Sequence, residues 1–266
     1  MDIDQQGELV HRDGDEAPRI LLPSEVLPSP IHVLPQEHRP FFPGQAFPLL
    51  MRAEPWMPTL QAIQARKQDL VGLIATRHDL KDLPTAADLH TMGTVCRIHR
   101  VHREGEQRQV LHEGVQRFRV RQWLHESTPL LAAVQYFPER PEPRSEEQKA
   151  YAVAIINIIK ELIPLNPLYG EELKVFLARS NPNEPSLLAD FAASLTSANR
   201  EELQDILETL GLQRRMEKVV VLLQRELEIA RAHMEIRRHV EQEIQGRQRE
   251  AVLRQQLKFI QEELGL

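Results

Sequence analysis

The longest proline-free stretch of the chain constrains its architecture most. All 19 prolines lie at or before Pro185, and the residues from Leu212 to Leu264 read as one uninterrupted helix. A helix rises about 1.5 Å per residue, so this one would be roughly 80 Å long. That length exceeds the diameter of a compact domain of 266 residues. We therefore predict that the long helix connects the chain to something outside its own core.

Apolar residues define two packing stripes on this helix. In its first half they recur at intervals of three and four, which suits packing against another helix. These residues are Met216, Val220, Leu223, Leu227, Ala230 and Met234. The second stripe consists of Leu253, Leu257, Ile260 and Leu264. Charged residues between the stripes predict a middle that is polar on nearly every side, which is typical of a helix that bridges to a partner. The alternative is an ordinary antiparallel coiled coil within the chain.

The composition is that of a soluble globular protein. Hydrophobic residues make up 41% and charged residues 27%, and a net charge of −6 argues against a dedicated nucleic-acid binder. Cys96 is the only cysteine, which excludes an internal disulfide and fits a reducing compartment. No apolar run is long enough to span a membrane, and residues 1–18 do not form a secretory signal. We expect a cytoplasmic protein without a membrane partner.

Changes in composition and periodicity along the sequence divide the chain into four parts and predict an α+β fold. Three prolines between Pro138 and Arg144 mark the boundary between a β-rich and a helical region. The predicted parts are a mobile, acidic and proline-rich leader at 1–28, a β-rich domain at 29–138, a helical bundle at 145–211 and the long helix at 212–266.

Strand and helix signals fill these parts. Short apolar runs predict strands at 31–34, 46–51, 70–76 and 130–137, and a short helix is predicted at 59–67. Two longer strands, 93–101 and 109–124, are joined by a hairpin turn at 104–106. In the helical part, Ser145 with Gln148 forms a capping pattern that begins a helix running to Pro164. Further short helices are predicted at 168–179, 185–195 and 199–210, with Pro185 in a first turn and Asn199 with Glu202 as a second capping pattern.

Three segments of the chain resemble a known family. They are GTVCRI at 93–98, LHEGVQRF at 111–118 and REAVLRQQLKFIQEELG at 249–265. Over about residues 31–265 the chain is similar to the N-terminal region of Lon, the ATP-dependent serine protease. The resemblance implies a small β-rich pseudobarrel of the PUA-like type, then a helical bundle and the very long helix. It also implies that the chain engages unfolded or damaged proteins and assembles with copies of itself, as a homohexamer.

The residues that such a protease needs for chemistry are not found in this sequence. A phosphate-binding loop ends in Gly-Lys-Ser/Thr, and no Gly-Lys pair occurs here. No serine has a recognisable nucleophile setting. We expect the 266 residues to be catalytically silent, with no cofactor or metal of their own. ATP and Mg²⁺ are expected only for a parent protein that continues past Leu266 into an ATPase domain and a Ser-Lys protease domain.

Large apolar side chains cluster in a stretch broken by prolines and are the candidates for substrate contact. We hypothesise that Phe41, Phe42, Trp56 and Met57 form part of an exposed patch that engages unfolded protein, with Trp56 and Met57 favoured. The alternative is that these side chains fill the barrel core, and this is at least as well supported for Phe47 and Met51, which alternate on a predicted strand.

The predicted hairpin offers a different function, that of a nucleic-acid-binding adaptor. Its arginines are Arg97, Arg100, Arg103, Arg108, Arg117, Arg119 and Arg121. Their side chains could contact phosphates, but we favour a solvated strand face. We favour solvated strand histidines over a metal site of His99, His102 and His112, because His99 and His102 point to opposite faces of a regular strand. Cys96 is predicted to be a small core residue. A third possibility is a purely structural spacer without a ligand.

Overall fold

The structure of the protein is a computed structural model. It describes residues 27–66, 68–79, 82–104, 107–139, 145–165 and 184–264. The predicted leader, apart from its last two residues, and the predicted helix at 168–179 lie outside the described residues.

Six strands form the β-rich part. They are β1 (Ile31–Gln36), β2 (Ala46–Arg52), β3 (Leu70–Ala75), β4 (Met92–Glu104), β5 (Gln107–His125) and β6 (Leu131–Phe137). Their order in the sheet is β2-β5-β4-β3-β1-β6, and an additional pairing of β5 with β6 closes five of the strands into a ring. β2 lies on β5 outside this ring. The predicted pseudobarrel is therefore confirmed.

The length of β5 makes the closure possible. Its first seven residues, Gln107 to Glu113, pair with β2, whereas its later residues, from Arg117 to His125, pair with β6. β4 pairs with β5 from Gln107 to Arg119, with two register shifts along the way. Such shifts bend and twist a strand, so that one long hairpin can curve around the barrel.

Two glycines allow the barrel interior to close. A Cβ atom at Gly72 would lie 2.7 Å from the ring of Phe118, and one at Gly93 would lie 2.2 Å from the carbonyl oxygen of Leu73. Neither position has room for a larger residue. Gly93 begins the first of the three family-like segments, so its presence there has a physical reason. The interior that these glycines border is filled by buried side chains, including Ile31, Val33, Ile74, Val95 and Phe118.

The helical part follows its sequence signals closely. α2 (Glu146–Leu162) begins after Ser145, whose hydroxyl accepts a hydrogen bond of 3.1 Å from the backbone N–H of Gln148. α3 (Pro185–Leu195) has its proline in the first turn, and α4 (Arg200–Glu208) begins at the predicted capping box of Asn199 and Glu202. The predicted long helix is observed as α5, Leu212–Glu263, a single helix of 52 residues that we call the rod.

The first part of the rod completes the helical bundle. Met216, Val219 and Leu223 are fully buried, and they belong to one core with Ile155 and Ile159 of α2. The rod packs against both α2 and α3. This bundle, rather than a second long helix, is therefore the intramolecular partner of the rod.

One helix differs from its prediction. α1 spans Ala53–Ala65 and begins six residues before the predicted start at Thr59. Pro55 is tolerated because it lies in the first turn, whereas Pro58 lies inside the helix, where its missing N–H removes one backbone hydrogen bond. Pro48 lies in β2, which pairs only with β5 among the described strands. From Ala46 to Ala65 the proline-broken stretch is thus regular structure, in which β2 is followed directly by α1.

Candidate functional surfaces

α1 covers the outer side of the barrel. Leu60 and Ile63, on the inward side of α1, are buried in one cluster with Leu34 of β1 and Val71 and Leu73 of β3. Cys96 and Phe41 belong to the same cluster. Because α1 is held by this core, any side chain on its outer side is presented from a rigid support.

Phe41 and Phe42 are buried, so the hypothesis that they contact substrate from an exposed patch is wrong. Phe41 is 8% exposed and joins the core beneath α1, whereas Phe42 is 1% exposed and belongs to the core of the helical bundle. A turn with Gly44 at a φ of 77° carries the chain past α3, where a Cβ atom at Gly44 would lie 2.7 Å from the Leu187 side chain. The two rings fill two different cores because the chain crosses from the barrel to the bundle at this point.

Trp56 and Met57 are the two candidates that stay at the surface. Both are partly buried against the core beneath α1, and both keep part of their side chain in solvent. We call these two residues the α1 patch. The side chains of Phe47 and Met51 lie outside the described ones, so their assignment to the core stays a prediction.

The rod leaves the bundle after Ala230. Met234 is 41% exposed, and every described side chain from Arg231 onward is exposed. The predicted second stripe is likewise in solvent: Leu253, Leu257, Ile260 and Leu264 are 53 to 67% exposed. Within the described residues, nothing in this chain covers the distal half of the rod.

The middle of the rod also carries apolar side chains that belong to neither of the two predicted stripes. Ile236, Val240 and Ile244 recur every four residues and are 47 to 62% exposed. We call them the distal stripe. At about 100° per residue, Ile236 lies about 200° around the helix from Met234. Val240 and Ile244 follow at about 240° and 280°, so the distal stripe starts opposite Met234 and winds toward the packing side as the rod continues. The prediction of a middle that is polar on nearly every side is wrong along this stripe. The spacing of four was visible in the sequence among the charged residues.

The hairpin arginines do not form one solvated face. Arg117, predicted to be solvated, is only 2% exposed. The guanidinium carbon of Arg119 lies 5.4 Å from the centre of the Phe137 ring, and Arg121 donates to the Gln135 side chain. Arg97 pairs with Asp69 at 3.4 Å. The side chains of Arg100, Arg103 and Arg108 lie outside the described ones.

The histidines and the cysteine have ordinary structural surroundings. His99 is exposed and its Nε2 lies 2.6 Å from the Glu113 carboxylate, whereas His112, expected to be solvated, is buried. Among the described residues, no group of three or more His, Cys, Asp or Glu side chains could hold a metal ion. Cys96 is fully buried, as predicted, and burial raises the pKa of its thiol well above the usual range.

An ion cluster connects the barrel, the bundle and the rod. We call it the buried ion cluster because Arg117, Asp190 and Arg215 are buried, whereas the side chain of its fourth member, Glu139, is 47% exposed. Its members are Arg117, Glu139, Asp190 and Arg215. Arg117 on β5 forms a two-pronged pair with Asp190 on α3, with N–O distances of 2.7 and 2.5 Å, and donates to the Leu207 carbonyl at 2.9 Å. Such a fork fixes geometry as well as charge.

The rod joins the same cluster through Arg215. This fully buried guanidinium lies 2.8 Å from Glu139, which follows β6, and 3.5 Å from Asp190. It also donates to the Ser186 hydroxyl at 2.5 Å. Partial desolvation opposes ionisation of Glu139, but Arg215, Ser186 and Arg117 together outweigh it, and the pKa of Glu139 is lowered. Two cations and two carboxylates give the cluster a formal charge of zero.

The sequence held one signal for this cluster. Asp190 is the only charged residue within α3, PSLLADFAASL, whose other residues are mostly apolar. A carboxylate in such a helix needs a buried cation, because an unpaired buried charge is very costly.

Further hydrogen bonds hold the barrel against the bundle. The Gln204 amide donates to the Met92 carbonyl at 3.1 Å, and Arg39 donates to the Thr196 carbonyl at the end of α3 at 2.7 Å. Arg200 donates to the Thr76 carbonyl at 3.4 Å. Together with Phe42, these contacts join the two parts into a continuous interface.

Comparison with known families matches these parts. The family described as the ATP-dependent protease La (LON) substrate-binding domain covers residues 30–225. The chain belongs to this Lon domain family. The match includes the barrel, α2 to α4 and most of the rod segment that packs on the bundle. The predicted resemblance to the N-terminal region of Lon is thereby confirmed, and the first two of the three segments lie within the match.

Relatives of the whole chain are Lon proteases. Lon protease 2 of Hydrogenovibrio crunogenus is 42% identical over 239 residues, which is 90% of this chain and 27% of that protein. Lon protease of Chlamydia trachomatis is 40% identical over 267 residues, covering 99% of this chain and 31% of that protein. The chain thus spans less than a third of the length of these relatives.

Solved structures support the fold. The N-terminal domain of Mycobacterium avium complex Lon protease aligns with a TM-score of 0.58 at 18% identity, covering 73% of this chain and 98% of that one. A Lon N-terminal domain protein from Xanthomonas campestris has a TM-score of 0.50 at 15% identity, with the same coverage of both chains. Within the parts of the Lon-family chain that the structure describes, no helix is long and apolar enough to cross a membrane.

Proposed function

We propose that this chain is the non-catalytic, substrate-engaging module of a cytoplasmic, ATP-dependent Lon-type protease. The barrel binds unfolded or damaged proteins, and the rod supports assembly of subunits into a homohexamer. ATP hydrolysis with Mg²⁺ and Ser-Lys peptide cleavage belong to other parts of the parent protein. The observation that carries the proposal is the match to the Lon substrate-binding family over residues 30–225, which includes the whole barrel.

The α1 patch is the proposed substrate contact. Trp56 and Met57 offer a large ring and a flexible thioether, which adapt to apolar segments of varied sequence. Both remain partly exposed on a helix whose other side is fixed in the core. This combination of a rigid support and an adaptable surface suits weak capture of many unfolded chains.

A pair of variants tests this contact. Binding of reduced, alkylated α-lactalbumin is measured by fluorescence anisotropy for Trp56→Ala with Met57→Ala, and for the control Gln61→Ala with Gln64→Ala on exposed positions of the same helix. We expect the first variant to weaken binding about tenfold or more and the control to leave it unchanged. Equal binding by both variants would exclude the α1 patch. Apolar capture should also change little with salt, whereas phosphate contacts through the hairpin arginines would weaken steeply.

The distal stripe is the proposed contact for assembly, and its occupant is a second copy of the chain. An antiparallel pairing of two rods centred on Val240 places Ile236 of one copy against Ile244 of the other. It also brings Arg237 within reach of Glu241 of the second copy. Apolar side chains at the seam with opposite charges beside it are the pattern of paired helices.

Sedimentation of the chain tests this assembly. A lysine at the seam would bury an unpaired charge between two rods. We expect Val240→Lys to shift the chain toward monomer, whereas Gln242→Lys, on the opposite side of the rod, has the same charge change and should not. If both variants sediment like the unmodified chain, the distal stripe is not the contact.

A further inference from the structure

We propose that the buried ion cluster is an orientation lock, which fixes the direction of the barrel relative to the rod and contributes little to stability. The inference concerns Arg117, Glu139, Asp190 and Arg215, and it does not depend on what the barrel binds. Every member comes from a different part of the fold: β5, the segment after β6, α3 and the rod.

The geometry of the cluster is directional. The Arg117 guanidinium meets Asp190 through two nitrogen atoms and the Leu207 carbonyl through the third, so all three of its nitrogens are engaged. Rotating the barrel on the bundle would break these bonds together. Apolar contacts across the same interface, such as those of Phe42, are non-directional and tolerate small rotations.

The position of the cluster gives it leverage over the rod. Arg215 is the fourth residue of a helix of 52 residues, and it binds Glu139 just beyond the barrel. The rod is roughly 80 Å long. A tilt of a few degrees at Arg215 would therefore move the far end of the rod by several ångströms. Holding Arg215 therefore determines where the distal half of the rod points.

Electrostatics explain why such a cluster need not add stability. Removing charges from water is costly, and a good buried pair only offsets that cost. Replacing all members by uncharged residues of similar size removes both the cost and the attraction. The replacement leaves the interface closed and removes the directional bonds of the cluster, while the separate hydrogen bonds of Gln204, Arg39 and Arg200 stay in place.

The test uses this replacement, the apolar variant, which carries Arg117→Met, Glu139→Gln, Asp190→Leu and Arg215→Met. Spin labels on Gln122→Cys of the barrel and Glu228→Cys of the rod, both exposed positions, report the distance distribution by pulsed electron resonance. We expect a single narrow distribution for the chain with its native cluster. For the apolar variant we expect a distribution at least twice as wide, with an unchanged midpoint of thermal unfolding.

The control removes an exposed pair between the rod and α2. Arg231 lies 2.6 Å from Glu161, and both side chains are more than half exposed. Arg231→Met with Glu161→Gln should keep the narrow distribution. A narrow distribution at the native distance in the apolar variant would overturn the proposal.

A second variant covers the case in which the apolar variant does not fold. Such a failure would show that the cluster is needed for stability and would overturn that half of the proposal. Arg117→Lys keeps the positive charge but loses the fork to Asp190. A native distribution for this folded variant would overturn the other half, the fixing of direction.

Discussion

Replacing Phe42 by alanine shows whether this residue stabilises the core or binds substrate. Phe42 is 1% exposed and belongs to the core of the helical bundle, although it precedes β2 of the barrel. A buried phenylalanine removes about 150–250 Å² from water. At about 25 cal/mol per Å², this corresponds to roughly 4–6 kcal/mol, of which alanine keeps a small part. We therefore expect Phe42→Ala to lower the free energy of unfolding by about 3–5 kcal/mol.

Guanidinium chloride unfolding followed by circular dichroism measures this loss. Phe42→Leu is the matched control, since it keeps an apolar side chain in the pocket and should lose much less. The folded fraction of Phe42→Ala should still bind reduced, alkylated α-lactalbumin as tightly as the unmodified chain does. A loss of stability below about 1 kcal/mol, or weakened binding by the folded protein, would refute the assignment of Phe42 to the core.

Four further changes test other parts of the structure. Asp190→Leu alone leaves the buried Arg117 and Arg215 with only the half-exposed Glu139 as counter-charge, and it should cost about 3–5 kcal/mol in denaturant unfolding, in contrast to the apolar variant. Burial lowers the pKa of His90 below 6.5, so the unfolded state binds more protons than the folded state. The free energy of unfolding should therefore fall as the pH drops below 6.5. The His90→Gln variant, titrated in parallel, should show a smaller fall. Gly93→Ala forces a Cβ atom to 2.2 Å from the Leu73 carbonyl oxygen and should abolish soluble folded protein. Gly246→Ala meets no atom within 4 Å, so it should raise the helicity of the rod and stabilise the rod by about 0.5–1 kcal/mol.

Local signals in the sequence were sufficient for most elements. Ser145, Pro185 and Asn199 begin helices where their chemistry predicts, because capping depends on residues within one turn. The hairpin of β4 and β5 and the rod were predicted for the same reason, since periodicity and the absence of proline are also local. The resemblance of the three family-like segments implied the same order of parts that the local patterns predicted.

The misjudged residues depend on contacts between distant parts of the chain. Arg117 alternates with Arg119 and Arg121 in the same strand, and nothing nearby distinguishes it; its partner Asp190 is 73 residues away. Phe41 and Phe42 are adjacent, yet they fill different cores because the chain passes there from the barrel to the bundle. Predicting which residues are buried between the barrel and the bundle requires knowing how these two parts pack together. Periodicity within one part does not contain that information.

The start of α1 was predicted six residues too late for a different reason. Proline generally disfavours regular structure, but Pro48 lies in a strand with one described partner and Pro55 in the first turn of α1. Both positions tolerate a missing N–H. Only Pro58 lies where a helix hydrogen bond is lost, and the core contacts of Leu60 and Ile63 hold α1 in place regardless.

Crosslinking from the α1 patch tests the central claim most directly. A photoreactive benzoylphenylalanine replaces Met57 in one preparation and Gln61, an exposed residue of the same helix, in another. With reduced, alkylated α-lactalbumin, we predict strong crosslinks from position 57 and few from position 61, and competition by a second unfolded protein. Equal or absent crosslinking at position 57, with substrate still retained by the chain, would contradict the assignment of substrate engagement to this surface.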